Sequence, residues 1–150
     1  MHTEKTHRQT CKFLSFQLGT RKYLCDTVNL QEIVKHPGII INENSTSWHI
    51  GTFTGSRNGI PVIDLFCRDR ETLVRSQASL IVINVEGWVL GLLVDSVNEI
   101  LEIIPSNALP YPQMYAGIEG EFISGIIEHE GNDFYIINLE KLISTVHGEA

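Results

Sequence analysis

From Phe13 the chain alternates with a period of two. Phe13, Ser15 and Gln17 fall on one side and Leu14, Phe16 and Leu18 on the other, which predicts a strand. Gly19-Thr20-Arg21 turns it into Tyr23-Leu24-Cys25, making a hairpin. Val28 to Val34 reads as a short helix or a bent strand. It ends at His36-Pro37, because the residue before a proline avoids helical angles. Asn58-Gly59 is a strong hairpin turn, since both residues tolerate positive φ. It leads into Ile60 to Leu65, whose near-continuous apolar run predicts a strand buried on both faces. Leu80-Ile81-Val82-Ile83, a turn near Glu86-Gly87, and Trp88 to Val94 make a second strand–turn–strand. Val97, Ile100, Leu101 and Ile104 fit a helical stripe, so periodicity leaves that segment open between helix and strand. Glu121 to Glu128 and Asp133 to Asn138, turning at Glu130-Gly131-Asn132, form a last hairpin. Leu139 to Val146 predicts a closing helix with Leu139, Leu142, Ile143 and Val146 on one face. Many short strands joined by glycine and asparagine turns predict an all-β fold of two small barrels with a short C-terminal helix.

One pattern occurs twice. Asp26-Thr27-Val28-Asn29-Leu30-Gln31-Glu32-Ile33 is echoed by Asp95-Ser96-Val97-Asn98-Glu99-Ile100. Each is followed by an aliphatic run, Pro61-Val62-Ile63-Asp64-Leu65 and then Tyr135-Ile136-Ile137-Asn138-Leu139. The order predicts one structural unit used twice, with a seam between the copies. Residues 1–11 read as a flexible tail. Residues 12–145 read as one domain, its first barrel at about 12–68 and its second at about 79–145, joined by the polar stretch Arg68 to Gln77. Each half alone would bury too little surface to be stable.

Bulk properties narrow the function. The composition is globular, with 43% apolar and 19% charged residues. A net charge of −7 argues against a phosphate-backbone binder, so nucleic acid is not an expected partner. Cys11, Cys25 and Cys67 have no C-x-x-C spacing and read as reduced thiols. Neither a secretory h-region nor an apolar run of membrane-spanning length is present, so the expected location is the cytoplasm.

Catalytic signatures are missing: there is no phosphate-binding glycine loop, dinucleotide fingerprint or nucleophile elbow. The six histidines are dispersed without ligand spacing, so neither metal nor cofactor is expected. Asp64 and Asp95 end apolar strands, and a metal-dependent hydrolase built on them is the rival reading. The alternative is that both are turn caps. Asn138 stands where Asp64 stands in the other copy, and a cap survives that amide exchange while a catalytic carboxylate does not. Glu32 and Arg57 read as a candidate surface ion pair, and Trp48 and Trp88 as core or half-buried anchors. A small-molecule sensor using the seam is a third class, with no polar cluster in its favour.

Read end to end, these segments resemble the CheW family of chemotaxis coupling proteins. The opening hairpin Phe13 to Gly19 with Tyr23, the Val28 to Val34 segment, Gly51 before Pro61-Val62-Ile63-Asp64-Leu65, and Gly91 to Ile100 are similar to the family's motifs. The resemblance covers about residues 12 to 143. It implies two interlocked five-stranded Src-homology-three-like barrels and a non-enzymatic adaptor. The implied partners are chemoreceptor cytoplasmic tips and the regulatory domain of a CheA-type histidine kinase, with self-association in arrays. The implied receptor groove comprises Leu30, Glu32, Ile33, Val97 and Ile100. Ser56 and Arg57 are implied kinase or receptor contacts, and Gly51, Asp64, Gly91 and Asp95 structural turn positions. Arg57 stands one place out of the family's register, which in a strand aims it at the opposite face. Ile41-Asn42-Glu43-Asn44-Ser45-Thr46 stands where the family has a proline-rich loop. These departures imply a divergent adaptor, serving a flagellar pathway or one linked to type IV pili or another output.

Overall fold

The structure, a computed structural model, describes residues 9–41, 49–55, 59–65, 78–111 and 120–148. Trp48, Ser56, Arg57, Asn58, Cys67, the 42–47 loop and the 68–77 connection lie outside the described residues.

Eleven strands are described: β1 (Cys11–Leu18), β2 (Arg21–Asp26), β3 (Leu30–Lys35), β4 (Ile39–Ile41), β5 (His49–Phe53), β6 (Ile60–Ile63), β7 (Ser79–Val85), β8 (Trp88–Val94), β9 (Ser96–Ile103), β10 (Ile123–His129) and β11 (Asn132–Ile137). One helix, α1 (Leu139–Gly148), follows them. The hairpin turns have the predicted chemistry. Glu86-Gly87 and Glu130-Gly131 carry positive φ at both positions, and Gly19 carries it at the first position of its turn. The two ambiguous segments are both strands, β3 preceded by a 3-10 turn at Thr27–Asn29.

The strands form a five-stranded sheet ordered β10-β11-β2-β1-β9 and a six-stranded sheet ordered β3-β7-β8-β6-β5-β4. Read from β5, the second order is β5-β6-β8-β7-β3, with β4 added outside β5. Each sheet has one parallel pair at the same place, β11 with β2 and β6 with β8. The chain is therefore one unit used twice, with the leading hairpins exchanged. β1–β2 sits in the sheet of the second half, and β7–β8 in that of the first. Neither sheet coincides with residues 12–68 or 79–145, because each draws strands from both halves.

Three apolar clusters explain the strand patterns. β7 sends Ile81, Ile83 and Val85 into a large core between the sheets, and Leu80 and Val82 into a smaller one on the other face of its own sheet. β1 sends Leu14, Phe16 and Leu18 into the shared core and Phe13 into the second small one. The central strands are thus buried on both faces, and each fully buried leucine or isoleucine contributes about 1.5–3 kcal/mol. Each sheet also curls. β3 leads on to β4 at the opposite edge, and the chain after β9 reaches Leu109, which bridges Ile126 on the far strand β10. Two curled sheets with their own small cores are the expected double barrel. Helix α1 closes the shared core with Leu139, Leu142 and Ile143, and Val146 packs against it.

Candidate functional site

The repeated aspartates mark the two places where the chain crosses between sheets. Asp26 Oδ1 accepts from Val28 N at 3.0 Å and caps the 3-10 turn between β2 and β3. In that turn Thr27 Oγ1 donates to Lys12 O at 3.0 Å and Asn29 Nδ2 to Asn84 O at 3.2 Å. Asp95 joins β8 to β9. Its N–H donates to Gln17 O at 2.9 Å, and its Oδ2 accepts from Gly19 N at 2.7 Å. Both carboxylates satisfy backbone donors, the first locally and the second in the β1–β2 turn.

The ladder registers align the copies differently from their sequence likeness. Leu18 pairs with Arg21 and Val85 with Trp88 at the two hairpin turns, so Phe16 corresponds to Ile83. Leu30 lies opposite Ile83 and Val97 opposite Phe16. Leu30 is therefore the counterpart of Val97, and Ile33 of Ile100. Val28, which the sequence aligns with Val97, is 80% exposed beside the extra turn, whereas Val97 packs on the shared core. The other repeat keeps its register: Ile136 lies opposite Leu24 and Val62 opposite Gly91, so Asp64 does correspond to Asn138.

β3 and β9 are edge strands, and each carries a bulge, between Leu30 and Glu32 and between Val97 and Ile100. Residues three apart in a regular strand face opposite ways, and one inserted residue returns them to the same face. Leu30 and Ile33 accordingly lie opposite Ile83 and Ile81, and Val97 and Ile100 opposite Phe16 and Leu14. All four partners belong to the core between the sheets. Leu30 and Val97 are half-buried on that core, while Ile33 is 38% and Ile100 55% exposed. Glu32 is the exception among the expected groove residues. It lies opposite Val82, which faces the small core, so it points from the other face of β3.

Other expected site residues have structural places. Asp64 is fully buried after β6, and its counterpart Asn138 caps α1, its Oδ1 accepting from Lys141 N at 3.0 Å. Gly51 and Gly91 are not turn residues but lie within β5 and β8. A Cβ on Gly91 would meet Leu80 Cδ1 at 2.8 Å, so the residue is there for close packing. Trp88 is no core anchor: it is 54% exposed beside the β7–β8 turn. The expected Glu32–Arg57 pair falls partly outside the described residues. Among the described residues no three His, Cys, Asp or Glu side chains are grouped to hold a metal ion. No helix among them is long and apolar enough to cross a membrane.

Ser15 was legible in the sequence only as a small polar residue in an apolar strand. It is 2% exposed, donates from Oγ to Glu99 O at 2.9 Å and accepts from Glu99 N at 3.0 Å.

Comparison with known proteins places this arrangement. The family described as CheW-like domain matches residues 12–147. The chain is 26% identical over 140 residues to "Chemotaxis protein CheW" of Treponema pallidum, covering 89% of this chain and 82% of that protein. It is 26% identical over 141 residues to "Probable chemotaxis protein CheW" of Rhizobium etli, covering 93% and 91%. The crystal structure of the scaffolding protein TtCheW from Thermoanaerobacter tengcongensis superposes with a TM-score of 0.72 at 25% identity, over 89% of this chain and 87% of that one. The chain belongs to the CheW-like domain family, a family of scaffolds for chemotaxis signalling and not of enzymes.

Proposed function

We propose that this protein is the adaptor of a bacterial chemosensory array, coupling chemoreceptor cytoplasmic tips to a CheA-type histidine kinase. The observation that carries this reading is the pair of bulged edge strands. Leu30 with Ile33, and Val97 with Ile100, form two equivalent apolar patches above one shared core. Apolar side chains partly buried at their base and exposed at their tip make good anchors for a helical partner. The array lies at the inner face of the membrane, and the adaptor reaches it through the receptors from the cytoplasm. The kinase's regulatory domain docks barrel to barrel, and residues 12–145 act as one unit because the exchanged hairpins prevent either half from standing alone. Copies of the adaptor associate with one another within the array.

Calorimetry with the purified regulatory domain of a CheA-type kinase tests the reading. Binding at micromolar concentration in physiological salt is the expected result; its absence, with native circular dichroism, refutes it. Purifying the chain from its source with flagellar or with pilus-associated sensory components then distinguishes the pathway.

A further inference from the structure

We infer that Ser15 is a positioning residue for the docking edge, holding the β9 bulge that turns Val97 and Ile100 to the same side; this rests on the docking role proposed for those two residues. Between the pairs Phe16–Val97 and Leu14–Ile100, one residue of β1 faces two of β9. Bulges leave a residue outside the ladder, and its backbone groups need another partner. The Ser15 hydroxyl supplies both roles to Glu99, donating to its carbonyl at 2.9 Å and accepting from its N–H at 3.0 Å. A hydroxyl is among the few groups able to donate and accept at one atom. Ser15 is buried, so the clamp is sheltered from competing water.

The other edge shows that the clamp is particular to β9. Val82 occupies the position in β7 that corresponds to Ser15, and it offers no hydrogen bond. There the inserted residue Gln31 is tied from outside, its Oε1 accepting from Asn84 Nδ2 at 3.3 Å. The two edges share the bulge, and among the described residues a buried hydroxyl bonded to its backbone is seen on β9. Loss of the Ser15 clamp frees β9 to slip into regular pairing, which would send either Val97 or Ile100 to the wrong face.

The test uses the whole chain and purified cytoplasmic fragments of chemoreceptors from the same organism. Ser15→Ala and Ser15→Cys should each weaken binding about tenfold, the loss typical of one well-placed anchor. Both should accelerate hydrogen exchange at the Glu99 amide. Ser15→Thr keeps the hydroxyl and should restore both readouts. Ser15→Cys nearly conserves volume, which covers the case in which alanine leaves a destabilising hole. Wild-type affinity with a rapidly exchanging Glu99 amide overturns the inference, as does weakened binding with that amide still protected. Ile100→Glu, on the same edge but away from the clamp, is the control: if it leaves binding intact, the docking role of β9 itself fails and this inference falls with it.

Discussion

The backbone N–H of Gly19 donates to Asp95 Oδ2 at 2.7 Å, joining residues 76 apart in sequence. Gly19 sits in the turn of β1–β2, and Asp95 is the residue on which the chain passes from β8 to β9. The bond therefore fastens one exchanged hairpin to the crossover made by the other. Asp95→Ala is expected to destabilise by about 1–2 kcal/mol, the cost of a charge-assisted bond to a backbone donor, without changing the far-ultraviolet circular dichroism. Asp95→Asn retains an acceptor and should cost less. An unchanged melting temperature in Asp95→Ala would show that the crossover does not depend on this bond.

Tyr23 is fully buried in the shared core, stacked on Phe16 with ring centroids 5.6 Å apart, and its hydroxyl has no hydrogen-bond partner among the described residues. A buried unsatisfied hydroxyl costs about 1–3 kcal/mol. Tyr23→Phe should therefore be neutral or stabilising in a chemical denaturation series. A clear loss of stability would mean that the hydroxyl is satisfied in solution.

Gly91 admits no side chain without moving Leu80, which is itself fully buried. Gly91→Ala is expected to destabilise by about 1–3 kcal/mol through overpacking. A simultaneous Leu80→Val should recover part of that loss; if the two changes merely add, Leu80 is not what the new methyl strikes.

Burial, and then the neighbouring charge of Asp26, push the Cys25 thiol from its ordinary 9.0 up to about 12. The folded chain keeps this thiol neutral where the unfolded chain ionises it. Its contribution to stability is therefore intact below pH 9.0 and falls as pH rises toward 12. Cys25→Ala should flatten the alkaline fall of the unfolding free energy in that window. An identical slope in the variant would contradict the burial argument. Cys25 should also resist thiol reagents until the protein unfolds.

Much of this was legible in the chain because burial writes a period. The alternation from Phe13 to Leu18 placed β1 on two cores, and the stripe from Leu139 to Val146 described the buried face of α1. Three features were not legible. The exchange of hairpins depends on pairings such as Leu24 with Ile136, which are long-range and leave no local signal. The segment after Val97 stayed open between helix and strand because its bulge spaces apolar residues by three, the interval a helix also uses. The sequence repeat also misaligned the copies by the length of the 3-10 turn after Asp26, which hid the match of Leu30 with Val97. Of the expected groove residues, Leu30, Ile33, Val97 and Ile100 lie opposite residues of the shared core and Glu32 opposite one of the small core.

The central claim is that Ile33 and Ile100 are the exposed tips of two docking edges, and placing a negative charge at each of them tests it most directly. Ile33 is 38% and Ile100 55% exposed, enough for a carboxylate at either position to reach water, so Ile33→Glu and Ile100→Glu should leave the thermal melt within a few degrees of wild type. Val97→Glu is the less suitable variant, because Val97 rests on the shared core. Each exposed variant should weaken binding to chemoreceptor cytoplasmic fragments about tenfold or more, as loss of an interface anchor does. Wild-type affinity in both, with native melts, would contradict the account.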